Sequence, residues 1–197
     1  MASAKSTHSA RYRVYQFLAA LKASLTTWVR GSRGGLSVAD KAFVQAILPA
    51  SDQQQLFSRM AANDQRHAVA VARTLQAAGY TDPALLQAAL LHDVAKSLGQ
   101  PIIHRVLIVL FEAFWPAALV RLSASSGSWD ATVTSWWRRP FVVHAQHAAI
   151  GAAWARNAGC EPVAVSLIAR HQDKLSSEPI DSAEKLLVAL QWADNLN

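Results

Sequence analysis

The stretch DPALLQAALLHDVAKSLG, residues 82–99, begins as a helix suited to a protein core and ends in an imidazole, a carboxylate and an ammonium. Asp82 is a favourable N-cap, and a proline follows it in the first turn. The next eight residues are almost all Ala and Leu, which predicts a buried helix. Because burying an unpaired ionisable group is costly, His92, Asp93 and Lys96 must either reach solvent or meet other groups.

The composition favours one helical, globular chain. Of its 197 residues, 52% are hydrophobic, and there are only 8 Gly and 7 Pro. No strand-like alternation and no internal repeat stands out, so the predicted fold class is all-α. The single cysteine, Cys160, excludes an internal disulfide and a cysteine zinc site. It fits a reducing compartment, which predicts a cytoplasmic protein.

The net charge of +6 belongs to one end of the chain. Residues 1–34 carry six Lys and Arg side chains and no acid, and the other 13 basic residues balance the 13 acidic ones. A neutral body argues against a nucleic-acid partner. The basic segment contains a predicted amphipathic helix over 11–30, which either docks on the body or binds a membrane surface. We therefore predict two domains, 1–34 and 35–197.

The second predicted domain contains an insertion at 97–143. It comprises an apolar helix over 102–122 and a Ser- and Trp-rich irregular loop or lid over 123–140. The apolar run is too short and too interrupted for a membrane span of about 30 Å, which predicts a buried or interfacial helix. Peripheral membrane contact through this helix or the amphipathic one is an alternative.

Local signals place most of the other helices. N-cap residues, prolines in first turns and glycines after last turns mark their ends. The predicted helices run from Ser37 or Asp40 to about Leu48, from Asn63 or Asp64 to Gly79, from Asp82 onward, through His147 to near Gly159, from Pro162 to His171, and over 182–196 behind a capping box of Asp181 and Glu184.

Six ionisable residues lie on or beside the apolar stripes of five predicted helices. A single histidine on such a stripe is more often a hydrogen-bonded core residue than a ligand, but six on five helices favour a shared site. Histidine and aspartate are natural ligands for Fe, Mn or Zn, and helix bundles often assemble metal sites from facing helices. Asp93 is placed to bridge two metals, and His144 is a further candidate beside His147. The six residues are His67, His92, Asp93, His147, His171 and Asp194.

This ordered set resembles the HD-domain metal-dependent phosphohydrolase superfamily. It looks most like the six-ligand branch that includes the bacterial diadenosine tetraphosphate hydrolases, and the resemblance covers about residues 60–197. The stretches that carry it are DQRH at 64–67, HDVAK at 92–96, HAAIGA at 147–152, ARH at 169–171 and ADNL at 193–196.

The resemblance implies an HD-domain helical bundle with one or two divalent metal ions (Fe, Mn, Zn, Mg or similar) between the helices. It implies that His147 and His171 hold a second metal, and that Lys96 contacts the substrate phosphate, with Arg66 as a second phosphate candidate. The residues that match the basic HD site are His67, His92, Asp93 and Asp194.

The function that the resemblance implies is cleavage of a phosphoester or phosphoanhydride in a nucleotide-like or other small phosphorylated substrate. A metal-bound hydroxide would attack phosphorus, with Asp93 and Lys96 as catalytic residues. Two other classes stay open. One is a di-iron oxygenase, which uses the same ligand set within the superfamily. The other is a non-catalytic, membrane-associated HD module, and a homo-oligomer is compatible with each class.

Overall fold

A computed structural model describes residues 35–98, 107–108, 110–111, 114–124, 135–174 and 181–197. The chain divides into two units, Met1–Gly35 and Leu36–Asn197, and the description below concerns the second. The amphipathic helix predicted over 11–30 lies outside the described residues.

The described part of the chain is helical throughout, with no strand in it, so the all-α prediction is confirmed. A short 3-10 helix, Val94–Leu98, follows the central α-helix. The α-helices are α1 Val38–Ile47, α2 Ser51–Ser58, α3 Ala62–Ala77, α4 Pro83–Leu91, α5 Pro116–Ser123, α6 Arg139–Asn157, α7 Pro162–Arg170 and α8 Ser182–Leu196.

Three of the predicted N-caps are confirmed. The side chains of Ser37, Asp82 and Asp181 each accept a hydrogen bond from the backbone N–H three residues ahead, at 3.0, 2.9 and 2.7 Å. Each bond satisfies a backbone donor that the first helical turn would leave unpaired. The ends of α3 and α6 are confirmed as well, because Gly79 and Gly159 follow them at φ values of 91° and 74° that favour glycine.

Two local predictions miss. The N-cap of α3 is Ala61, which makes no side-chain cap, and not Asn63 or Asp64. The Asn63 side chain instead accepts a hydrogen bond from Arg66, within the first turn. Helix α2 was not predicted, because its short sequence SDQQQLFS has little apolar periodicity. It buries Leu56 and Phe57 all the same.

The apolar run 102–122 is not one continuous helix. The described residues 107, 108, 110, 111 and 114 are helical, but the chain leaves the helix at Trp115 and α5 starts at Pro116. Proline lacks the N–H that a continuing helix needs, and it disfavours helical geometry in the residue before it. In the Trp-rich segment, 136–138 form a turn and α6 begins at Arg139, so the irregular loop predicted over 123–140 ends two residues early.

Helix α4 lies at the centre of the fold. Every residue from Ala84 to Leu91 is buried, and α4 contacts α1, α2, α3, α7 and α8. Leu85, Leu90 and Leu91 have no exposed surface. Helix α6 packs on α7 and on the 3-10 helix that follows α4. The polar end of α4 is therefore enclosed by α3, α6, α7 and α8, which are the helices that carry the other predicted site residues.

Candidate metal centre

The candidate site begins at the C-terminal end of the central helix, α4. Helix α4 stops at Leu91, His92 is its C-cap, and the chain turns through Asp93 into the 3-10 helix. The side chains of both residues remain inside the protein, with exposed fractions of 1% for His92 and 8% for Asp93. An imidazole and a carboxylate thus lie side by side in the core, where each needs a partner.

Backbone carbonyls fix the orientation of three histidine rings. The Nδ1 atoms of His92, His147 and His171 lie 3.0, 2.7 and 2.8 Å from the carbonyl oxygen three residues earlier in each case. A carbonyl can only accept, so Nδ1 carries the proton and Nε2 keeps a free lone pair when the ring is neutral. His92 and His171 are C-caps, where carbonyls of the last turn lack helical partners. All three Nε2 atoms are thereby directed to the space around Asp93.

Asp93 belongs to a first set of donors, which lies on the side of its Oδ2 atom. We call this set the His67 group, and its members are His67, His92, Asp93 and Asp194. The Nε2 atom of His67 lies 2.9 Å from Oδ1 of Asp194, and Nε2 of His92 lies 3.4 Å from the same oxygen. Oδ2 of Asp93 is 3.5 Å from Nε2 of His92. Helices α3 and α8 and the end of α4 therefore bring four potential ligands together.

The other side of Asp93 faces a second set, the His147 group, which consists of Asp93, His147 and His171. Oδ1 of Asp93 lies 3.7 Å from Nε2 of His147 and 3.8 Å from Nε2 of His171. In the first set, the ligand atoms of His67, His92 and Asp93 lie within 4.8 Å of one another. The ligand atoms of all three residues of the second set lie within the same distance of one another. Both spacings are close enough to hold an ion. Asp93 belongs to both sets, as a bridging carboxylate would.

Unpaired nitrogen atoms support a metal at this place. The Nε2 atoms of His92 and His147 are buried and have no hydrogen-bond partner among the described residues. Such orphaned polar atoms are rare and call for an explanation. A cation held by imidazole and carboxylate donors satisfies them, and this donor chemistry suits Fe, Mn or Zn. The residues present therefore fit a divalent metal, without selecting which one.

The two carboxylates are held in their charged form. Burial alone would raise the pKa of Asp93, but the neighbouring His92 and Lys96 lower it below its usual value. Burial acts in the same direction on Asp194, and the hydrogen bond from His67 together with the nearby His92 outweighs it, so this pKa is lowered too. Both groups are therefore anionic at neutral pH, as metal ligands must be.

The histidines divide into two kinds. Burial lowers the pKa of His147 to about 4 and also lowers the pKa of His171, so both rings are neutral at pH 7. Burial opposes the charge on His92 as well, but the carboxylates of Asp93 and Asp194 outweigh it and raise its pKa. The His147 group therefore offers neutral imidazole nitrogens, while His92 of the metal-free protein readily takes up a proton between two carboxylates.

One edge of the site reaches solvent. The side chains of His67 and Lys96 are each 29% exposed and that of Asp194 is 35% exposed. The Lys96 ammonium lies 2.5 Å from Oδ2 of Asp93. The solvent-accessible edge of the site therefore lies on the side of the His67 group, and the Lys96 ammonium is at this edge.

No protein-family model, no curated protein and no solved structure matches the chain. The likeness to the HD superfamily therefore rests on the sequence motifs and on the geometry of this site. All six predicted ligands are brought together, and their role as ligands stays a prediction.

Two further sequence candidates lie at the margin of the site. The guanidinium of Arg66 donates a hydrogen bond to the Asn63 side chain. The phosphate contact predicted for Arg66 stays a prediction. His144 lies one turn before His147, with ring centroids 6.3 Å apart, and its carbonyl fixes the His147 ring. The backbone carbonyl of His144 therefore orients the His147 ring. The sequence prediction concerned only the His144 side chain.

Sequence reasoning assigned no role to Gly151. A Cβ at this position would lie 3.4 Å from Cγ1 of Val94 and 3.5 Å from Cγ2 of Ile168. A methyl group would therefore fit at ordinary contact distances, whereas a larger side chain would press on the turn after His92 and on α7. The signal was present in the sequence as a glycine inside a helix, four residues after His147, where glycine is otherwise unfavourable.

Proposed function

We propose that the protein is a metal-dependent phosphohydrolase of the HD type that acts on a small phosphorylated substrate, such as a nucleotide. The observation that carries the proposal is the position of Asp93. Its two carboxylate oxygens face two separate sets of histidines, and an ammonium lies on the same carboxylate. Metal-assisted phosphoryl transfer uses one or two metal ions beside a cationic group that can bind a phosphate oxygen. The two sets of donors and the ammonium of Lys96 offer this combination.

The two sets of donors would hold one or two divalent ions. When bound, such an ion supplies a water-derived nucleophile at neutral pH and neutralises negative charge on the phosphate. The protein contributes the shape and the charge. The buried His92, His147 and His171 close the inner side against water, because their side chains are at most 4% exposed.

Lys96 is the residue that would bind the phosphate. Its Nζ lies at the solvent-accessible edge, one helical turn after His92, and it carries three N–H donors. An ammonium close to a phosphoryl group stabilises the charge that develops on its oxygens. Arg66 is a weaker candidate for the same task, because its guanidinium already bonds to Asn63.

A phosphatase screen with metal analysis tests the proposal. The purified chain would be loaded with Mn, Fe or Zn and offered nucleotides, dinucleoside polyphosphates and sugar phosphates. We expect metal-dependent phosphate release that Asp93→Asn abolishes. The matched control is Asp52→Asn, which changes an exposed carboxylate in the first turn of α2 and is expected to leave turnover unchanged.

Two results would contradict this function. Phosphate release that persists in Asp93→Asn would place the reaction elsewhere. Metal binding without phosphatase activity, together with oxygen uptake coupled to loss of an organic substrate, would assign the site to the di-iron oxygenase class. The second outcome leaves the ligand geometry intact and changes only the chemistry performed there.

A further inference from the structure

A second feature lies outside the metal centre. Six large apolar side chains are exposed on two neighbouring segments, and three of them are tryptophans. Trp136 is 82% exposed, Trp115 is 68% exposed and Val120 is 67% exposed. Helix α5 buries none of its side chains. We call this surface the aromatic face, and its members are Leu107, Phe114, Trp115, Val120, Trp136 and Trp137.

Arg138 ties the two segments together. Its guanidinium donates hydrogen bonds to the carbonyl oxygens of Arg121, Leu122 and Ala124 at 3.2, 3.2 and 2.7 Å. Those carbonyls belong to the end of α5, where backbone acceptors lack helical partners and a cation is favoured. The turn that carries Trp136 is thereby fixed against the C-terminal end of α5, so the aromatic face is a structured platform.

The exposure of this face calls for a partner. Single apolar residues on a surface are ordinary, but monomeric proteins rarely expose large contiguous apolar patches, and those that occur mark interaction sites. Tryptophan is enriched where an apolar phase meets water, because its ring is apolar and its N–H needs a polar partner. A surface that presents Trp, Phe and Val to solvent beside basic residues is typical of one that inserts shallowly into another phase.

Charge indicates which partner fits. Among the described residues of 107–124 and 135–141 there are three arginines and no carboxylate. Over the whole stretch 102–141 the sequence holds four arginines against Glu112 and Asp130, both outside the described residues. A symmetric dimer through this face would bring the same cations of two copies together, with more arginines than acids in each stretch. An anionic surface has no such cost.

We propose that the aromatic face docks on an anionic phospholipid surface, with Trp115 and Trp136 at the depth of the headgroups and Arg121 paired with lipid phosphate. No described helix is long and apolar enough to cross a membrane, so this contact is peripheral. The proposal is independent of the reaction at the metal centre, because none of these residues belongs to either ligand group.

Vesicle binding of the full chain tests the proposal. The probes are vesicles of phosphatidylcholine alone and of phosphatidylcholine with phosphatidylglycerol, and the bound fraction is measured by co-sedimentation. We expect binding to the anionic vesicles that falls about tenfold or more in the double variant Trp115→Ser/Trp136→Ser. Arg121→Glu is expected to weaken binding to the anionic vesicles alone. The matched control is Trp192→Ser on α8, where the indole is 43% exposed outside the face.

Several outcomes would overturn the proposal. Unchanged vesicle binding in the double variant would assign any binding to another segment, such as residues 1–34. An equal loss in Trp192→Ser would show a general effect of removing tryptophan. A dimeric wild type that becomes monomeric in the double variant would make the face an interface between copies. The Arg121→Glu variant alters an exposed side chain, and an unchanged thermal melt would show that its loss of binding is not unfolding.

Discussion

The ammonium of Lys96 contacts Oδ2 of Asp93 at 2.5 Å, on the oxygen that also faces His92. The other oxygen, Oδ1, is the one nearest to His147 and His171. Lys96 thus occupies the side of the carboxylate that belongs to the His67 group and leaves the opposite side open. A metal ion entering the His67 group must share Oδ2 with this ammonium or displace it.

The first prediction is that Lys96→Met binds metal more tightly and turns over more slowly. A hydrogen bond to a charged group contributes about 1.5–3 kcal/mol, so its removal is expected to raise metal affinity about tenfold. Turnover is expected to fall on the order of a hundredfold, because a donor to the developing phosphate charge is lost. Calorimetric titration with Mn²⁺ and a phosphatase assay measure the two effects.

Lys185→Met is the control for the loss of one positive charge, since Lys185 lies on an exposed part of α8. It is expected to change neither quantity. Weaker metal binding in Lys96→Met would mean that the ammonium supports Asp93 as a ligand and does not compete for it.

The second prediction concerns the number of ions. The wild type is expected to bind two ions per chain, because two sets of donors share Asp93. Asp194→Asn is expected to lose the ion of the His67 group, and His171→Gln the ion of the His147 group. Each metal affinity should drop at least about a hundredfold. Replacing a residue that only hydrogen-bonds to a metal ligand already lowers metal affinity by about 10–100-fold, and these variants replace a ligand itself. Asp93→Asn is expected to lose both ions.

Elemental analysis after gel filtration at fixed metal concentration gives the stoichiometry directly. The control is Asp173→Asn, an exposed carboxylate that bonds to Arg170 and not to the site. A single ion in the wild type that disappears in both Asp194→Asn and His171→Gln would show that the two sets of donors act as one site.

The sequence alone allowed prediction of the all-α class, most helix ends and the six residues that meet at the site. These inferences depend on local rules, such as N-caps, helix-ending glycines and the shared faces of helices. Asp82 caps α4 as expected because its side chain needs only the backbone three residues ahead.

Three features were not predicted from the sequence. The contact of Lys96 with Asp93, three residues earlier, follows from the 3-10 geometry after His92, and the sequence pattern did not indicate that the α-helix would give way to a 3-10 helix there. The break at Trp115 shows that one proline can outweigh an apolar run of helical composition. The exposure of α5 also escaped the hydropathy pattern, because the same residues suit a core and an interface alike.

The third prediction is a pH dependence of the metal-free protein. In the folded state burial lowers the pKa of His147 to about 4 from its usual 6.5, so the unfolded chain takes up the proton first as the pH falls. Wild type should therefore lose stability between about pH 6.5 and pH 4, relative to His147→Leu, which cannot titrate. The difference corresponds to about 3 kcal/mol in the free energy of unfolding. Urea unfolding in the presence of a chelator, at several pH values, measures it, and parallel pH profiles for the two proteins would contradict the prediction.

The fourth prediction concerns Gly151. It compares the effect of side-chain size at this position with the effect of helix propensity. A methyl group there meets Val94 and Ile168 at ordinary contact distances of 3.4 and 3.5 Å, and alanine favours a helix over glycine by about 1 kcal/mol. Gly151→Ala is therefore expected to keep its metal and to unfold at an equal or higher temperature. Gly151→Leu is expected to lose about 1–3 kcal/mol of stability, because overpacking forces neighbouring groups apart.

The larger side chain should also weaken metal binding at the His147 group, since His147 lies one turn earlier on the same face of α6. Ala153→Leu places the same side chain at an exposed position of α6 and serves as the control. Thermal melts and metal titrations of the three variants measure the effects. If Gly151→Leu behaved like Ala153→Leu, the close approach of α6 to the turn after His92 would not be what holds the His147 group in place. If Gly151→Ala lost its metal, the position would require glycine for a reason other than the space that its missing side chain leaves.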